Sequence, residues 1–200
     1  MIEHGFIGDI HGCVEQLDNV VSRARQCVSQ IVFLGDYVNR GPTSREVIDY
    51  LLELQGSEDI TTRFVKGNHD QAFLEAIVGD GFDNFLRLGG ASTVVSYIGS
   101  ARDNVLARFR ASVPPDHVDF LQGLEDEVVL NGVTATHRTS NNETRAKSAD
   151  GFTVYGHSPQ RDNIPVIHKT AAFIDTGCGT LEDGQLTCLF WPSLTWIQSE

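Results

Sequence analysis

Three glycine-bracketed clusters hold most of the side chains in this sequence that could do metal or acid–base chemistry: Gly8-Asp9-Ile10-His11-Gly12, Gly35-Asp36-Tyr37-Val38-Asn39-Arg40-Gly41 and Gly67-Asn68-His69-Asp70. Two further histidines follow apolar runs, His137 after Val133-Thr134-Ala135-Thr136 and His157 in Tyr155-Gly156-His157-Ser158-Pro159. Taken singly, Asp9 or Asp36 reads equally well as a helix N-cap, Asn68 as a turn residue and Asp70 as a cap. Taken together, Asp9, His11, Asp36, Asn68, His137 and His157 offer more donors than one tetrahedral ion needs. They suit two ions sharing a carboxylate. Oxygen and nitrogen donors without thiolate fit Mn²⁺, Fe, Zn²⁺ or Mg²⁺.

Such a set works only if the chain brings it together. Phe6-Ile7 and Ile31 to Leu34 read as short buried strands and Arg63-Phe64-Val65 as a third strand, each leading into one cluster. Between them, Val14, Leu17, Val20, Val21, Ala24 and Val28 recur at helical spacing, and Val47, Ile48, Leu51, Leu52 and Leu54 do the same. Thr43 to Glu46 has the spacing of a capping box, and Gln71 to Val78 predicts a third helix. Strand alternating with helix implies a parallel sheet, whose carboxyl edge would collect all three clusters. After Gly79 the pattern changes. A short helix is expected from Pro115 to Leu124, then strands at 128–130, 133–136, 152–155, 171–174, 186–190 and 194–197, whose close spacing and glycine-rich turns suggest antiparallel pairing.

The 200 residues suffice for one domain with a substantial core, and no linker or repeat divides them. At 40% apolar and 21% charged, the composition is that of an ordinary globular protein. No apolar run approaches the about 18 residues that span a bilayer, and Met1 to Gly5 lacks a secretory pattern, so the expected compartment is the cytoplasm, with no membrane partner. A net charge of −12 argues against nucleic acid as the partner. An anionic substrate remains reasonable if divalent cations set the local field. Cys13, Cys27, Cys178 and Cys188 form no Cys-x-x-Cys pair and read as buried thiols. His4, His117 and His168 fall outside the motifs and read as surface or loop residues.

The ordered set Gly-Asp-x-His-Gly, Gly-Asp-x-Val-Asn-Arg-Gly, Gly-Asn-His-Asp, a histidine after a strand, and Gly-His-Ser-Pro resembles the phosphoprotein phosphatases among the calcineurin-like metallophosphoesterases. The likeness runs from Gly8 to about Gly177, and the bacterial and phage-type members and the diadenosine tetraphosphate hydrolases look most similar. It implies a four-layer αββα sandwich, two packed mixed β-sheets flanked by helices. It also implies two divalent ions, Mn²⁺ foremost: Asp9, His11 and Asp36 would hold one, with Asp36 bridging, and Asn68, His137 and His157 would complete the other. Arg40 would bind phosphate with its planar fork, Asn68 would also lie against the substrate, and His69 would protonate the leaving oxygen. A metal-activated hydroxide would attack the phosphorus.

The substrate expected from this resemblance is a phosphoserine or phosphothreonine side chain in a protein, with phosphotyrosine tolerated. The alternatives are a dinucleoside polyphosphate such as diadenosine tetraphosphate, or a non-catalytic phospho-binding module. Two departures stand out. Asn39 takes the place of the family's aspartate behind His69; its amide oxygen can accept the imidazole N–H but adds no charge, which should lower the basicity of His69. The stretch from Arg138 to Gly156 is short for a region that usually supplies a second phosphate-binding arginine; Arg138, Arg145 and Arg161 are the candidates.

Overall fold

The structure, a computed structural model, describes residues 4–100, 103–138 and 151–200. Chain order opens with β1 (His4–Ile7), α1 (Val14–Ala24), β2 (Gln30–Phe33), α2 (Ser44–Gln55), β3 (Thr61–Phe64) and α3 (Asn68–Val78). A helical stretch follows: α4 (Phe82–Phe85), a kinked turn at Leu86–Gly90, α5 (Ala91–Ile98), α6 (Val105–Ser112) and α7 (Pro115–Gln122). Strands then dominate: β4 (Glu127–Leu130), β5 (Val133–Thr136), β6 (Phe152–Tyr155), β7 (Val166–Ile167), β8 (Ala171–Phe173), β9 (Thr187–Trp191) and β10 (Trp196–Gln198).

Two mixed five-stranded sheets, ordered β10-β9-β1-β2-β3 and β4-β5-β6-β8-β7, pack face to face and are flanked by helices. Side chains alternate along the central strands accordingly. In β2, Ile31 and Phe33 face the helices with Leu17, Val20, Val47 and Leu51, whereas Val32 and the following Leu34 face the second sheet with Val128, Ala135 and Val154. Burial on both faces explains why β2 and the end of β1 read as unbroken apolar runs.

β1, β2 and β3 are parallel, in register Gly5 to Ile31 and Ile31 to Thr62, so the three clusters leave the same edge. The second sheet corrects the antiparallel expectation, because β5, β6 and β8 are parallel and only β4 and β7 run against them. His137 and His157 therefore also leave one edge together.

Three smaller expectations change. Thr43 makes no side-chain cap; its hydroxyl accepts the Val14 N–H (3.1 Å) and donates to the Gly12 carbonyl (2.7 Å), tying the start of α2 to that of α1. His117 is buried in α7, where its Nδ1 meets the Tyr97 hydroxyl at 2.7 Å and its Nε2 meets Asp49 at 2.9 Å. Of the four free cysteines, Cys178 and Cys188 are buried and Cys13 half-buried, but Cys27 is exposed. Among the described residues, no helix is long and apolar enough to cross a membrane.

Candidate active site

The joints after β1, β2, β3, β5 and β6 converge where the carboxyl edges of the parallel strands of the two sheets meet. Tight joints need close backbone approach, and two glycines permit it: a β-carbon on Gly67 would run into the Asp36 carboxylate, and one on Gly156 into that of Asp9. Several of the candidate positions bend into the left-handed region, with φ of 46° at His11, 52° at Asp36, 73° at Asn39, 68° at Arg40 and 68° at His157. Each such non-glycine conformation costs on the order of 1–3 kcal/mol and persists only where surrounding bonds enforce it. Asp70 supplies several of those bonds. Its carboxylate accepts the N–H groups of Asp36 (2.8 Å), Tyr37 (2.9 Å) and Gly67 (2.9 Å), capping α3 while bracing the β2 joint against the β3 joint.

Asp36 is the hub. Its Oδ1 accepts the His69 N–H at 2.9 Å, and its Oδ2 lies 3.8 Å from His11 Nε2, 3.9 Å from His69 Nε2 and 3.3 Å from His137 Nε2. Two groups that could hold a metal share it: His11, Asp36 and His69, and Asp36, His137 and His157, with the ligand atoms of each group within 4.8 Å of one another. The imidazoles are pre-oriented for that use. His11 Nδ1–H donates to the Val38 carbonyl (3.1 Å) and His137 Nδ1–H to the Leu34 carbonyl (2.8 Å), which turns both Nε2 atoms toward Asp36.

Asn68 Oδ1 lies 3.2 Å from His137 Nε2, and Nδ1 of His157 is 3.2 Å from the same atom. Asp9 stands outside the two three-residue groups, with both carboxylate oxygens accepting the His157 N–H at 3.0 and 3.1 Å. His69, expected as the proton donor, lies inside the first group.

The charge pattern fits a cation. Asp9, Asp36 and Asp175 are all buried, and among the described residues the Asp175 Oδ2 meets no hydrogen-bond partner. Burial, Asp175 and Asp36 push the Asp9 carboxyl well above its usual range, and burial lifts that of Asp175 to about 6. Burial also pushes the Asp36 carboxyl upward, but His137, His11 and His69 outweigh it and hold Asp36 low. Burial works against a charged His137, yet Asp36 and Asp9 raise it to about 10, so a proton occupies the ring where a cation would otherwise sit. Divalent ions would remove the need for that proton and neutralise the buried carboxylates.

Two arginines flank this centre. Arg40 is exposed, its N–H reaches the Gly89 carbonyl (3.4 Å), its side chain lies over Gly89, and its charge acts on His11 and His69. Arg138 is exposed, and its charge acts on His157. Arg161 lies exposed in a turn, and Arg145 falls outside the described residues.

Behind His69, Asn39 is fully buried and faces Nδ1 with its amide nitrogen at 3.0 Å, while its amide oxygen accepts the Thr93 hydroxyl at 2.8 Å. This reverses the expected polarity, in which the oxygen would meet the ring. Burial pushes the His69 imidazole down to about 4, with only partial opposition from Asp36. Thr93 lies in no motif and Ser44 only within the capping-box spacing of Thr43 to Glu46, so neither carries a sequence signal for this site.

The model of the calcineurin-like phosphoesterase family matches residues 5–176. An asymmetrical bis(5'-nucleosyl)-tetraphosphatase PrpE of Halalkalibacterium halodurans is 24% identical over 98% of this chain and 93% of its own length. A symmetrical bis(5'-nucleosyl)-tetraphosphatase of Shewanella sediminis is 41% identical, over 34% of this chain and 24% of its own. Among solved structures, a metallophosphoesterase from Sphaerobacter thermophilus superposes with a TM-score of 0.62 at 18% identity, covering 100% of this chain and 88% of that one.

Proposed function

The chain belongs to the calcineurin-like phosphoesterase family, and from that premise we propose that residues 1–200 act as one domain that hydrolyses phosphoanhydrides of the dinucleoside polyphosphate type, diadenosine tetraphosphate among them. Two divalent ions, Mn²⁺ foremost, would be held by Asp9, His11, Asp36, Asn68, His137 and His157. Bound there, they would supply a water nucleophile active at neutral pH and neutralise phosphoryl charge. Arg40 and Arg138 engage phosphate oxygens, and His69 presents its Nε2 to the departing oxygen.

The observation that carries the substrate class is the uncharged Asn39 behind His69. A serine or threonine ester departs as a strongly basic alkoxide, which needs full protonation by an imidazolium. Asn39 gives an imidazolium no charge to lean on, and burial already disfavours that form. A nucleotide departs from an anhydride as a phosphate whose second pKa is about 6, so a hydrogen bond is enough. The near full-length relative named as a bis(5'-nucleosyl)-tetraphosphatase supports the same reading.

Metal-depleted protein restored with Mn²⁺ tests it, given diadenosine tetraphosphate, an aryl phosphate and a phosphothreonine peptide side by side. The expected order is dinucleotide first, aryl phosphate next and phosphothreonine last, with all turnover lost in Asp36→Asn. Fastest turnover of the phosphopeptide would restore the protein phosphatase expected from motif order. Metal binding without turnover of any substrate would favour a phospho-binding module.

A further inference from the structure

Four side chains from three separate parts of the chain form a closed polar string behind the site: Ser44 at the start of α2, Thr93 in α5, Asn39, and His69 at the start of α3. The first three are fully buried and His69 nearly so. Thr93 Oγ1 lies 2.8 Å from Ser44 Oγ and 2.8 Å from Asn39 Oδ1, and the Asn39 N–H reaches Thr93 Oγ1 at 2.9 Å and Ser44 Oγ at 3.1 Å. Asn39 Nδ2 then meets His69 Nδ1 at 3.0 Å.

Counting protons gives the string a direction. The Asn39 N–H is a donor, so both hydroxyl oxygens accept from it. Among the described residues, the only acceptor within reach of the Ser44 proton is Thr93 Oγ1. Thr93, already accepting twice, sends its single proton to Asn39 Oδ1. That fixes the amide with its NH₂ toward the ring, and Nδ1 of His69 must accept. Reversing the string would turn the Thr93 proton toward Ser44 and strand the Ser44 proton in a dry site, at the full desolvation penalty of an unmet donor.

We propose that Thr93, with Ser44 behind it, is a positioning residue that locks the Asn39 amide so that His69 keeps Nδ1 bare and holds its proton on Nε2, facing the site. His69 then acts as a neutral hydrogen-bond donor to an oxygen of the substrate, not as an imidazolium acid. This rests on the phosphoanhydride reading and narrows it, because a donor of that kind serves a departing phosphate and not a departing alkoxide. It also links helix packing to chemistry. The Arg45 N–H donates to Ser96 Oγ (3.2 Å) alongside the Ser44–Thr93 contact, so α2 and α5 set the string jointly.

The first measurement is long-range ¹H–¹⁵N correlation on the metal-free wild type, with His69 assigned by comparison with His69→Gln. Nδ1 should show the shift of an unprotonated nitrogen and Nε2 that of a protonated one. Thr93→Val should populate the opposite tautomer, Thr93→Ser should restore the wild-type pattern, and Asn39→Asp should add a proton at Nδ1 while Nε2 keeps its own. A wild-type ring protonated at Nδ1 overturns the proposal even if the valine variant does not fold, and so does a folded Thr93→Val with an unchanged pattern. With Mn²⁺ restored and an aryl phosphate as substrate, Thr93→Val should lose about tenfold in kcat at similar KM, recovered in Thr93→Ser. Absence of turnover by the wild type would count against the enzymatic reading while leaving the tautomer result standing, so the two failures are separable.

Discussion

At the scale of single residues, the consequential choice is a neutral amide where a carboxylate would place charge. Asp and Asn differ little in shape, but only the carboxylate stabilises a positive ring, and positioned acids contribute about 10²–10⁴ in rate where the leaving group needs them. Asn39→Asp should therefore raise turnover of alkyl phosphates by about tenfold or more while changing aryl phosphates and diadenosine tetraphosphate little. A plot of log kcat against leaving-group pKa reads this directly: the slope should flatten in the variant. An equal change on every substrate would show that Asn39 affects only folding or metal loading. The substitution itself was visible in Val38-Asn39-Arg40. Its polarity was not, because an amide can face a ring with either end, and the partner that decides is Thr93, far away in sequence.

Elements determine whether those residues meet at all. The first three joints were legible because each combines an apolar run, a glycine and a donor, and parallel strands deliver them to one edge. The parallel pairing of β5, β6 and β8 was misread from the same kind of pattern. Short alternating strands look alike in hairpins and in crossovers, and the separating clue was distance, since parallel neighbours need a dozen or more connecting residues. Thr136 and Phe152 are that far apart. His117 lies outside every motif, although Phe120 and Leu121, three and four places on, already put it on the apolar face of α7. A tight junction between the β2 and β3 joints is Gly67 against Asp36. Gly67→Ala needs no unusual φ, since φ there is −90°, yet its methyl would displace the shared carboxylate. The expected result is about 1–3 kcal/mol of lost stability in urea unfolding and fewer bound metal ions per chain. A variant that binds metal as the wild type does would mean that the joint has slack the packing does not suggest.

Across the whole molecule, a net charge of −12 and a buried cluster of carboxylates make the metal-free state electrostatically costly. Ions bound only by the folded chain should stabilise it by about 2.7 kcal/mol per site at a hundredfold excess over Kd, roughly 5–10 °C in Tm for a chain of this size. The pH dependence has a definite sign. His137 is raised from 6.5 to about 10 in the metal-free fold, so its contribution is complete below pH 6.5 and disappears as pH climbs toward 10. Asp175, raised from 3.8 to about 6, and Asp9, also raised, lose theirs in the same direction. Asp36 is depressed, so its contribution falls away only in acid, below this range. Metal binding requires the deprotonated forms of all these groups, so rising pH weakens the metal-free protein and strengthens metal binding together. The Tm difference between Mn²⁺-loaded and metal-free protein should widen steadily from pH 6 to pH 8.5. A difference that stays flat or narrows would mean that the His137 proton is not what the ions replace, and the shared-carboxylate centre built around Asp36 would have to be abandoned.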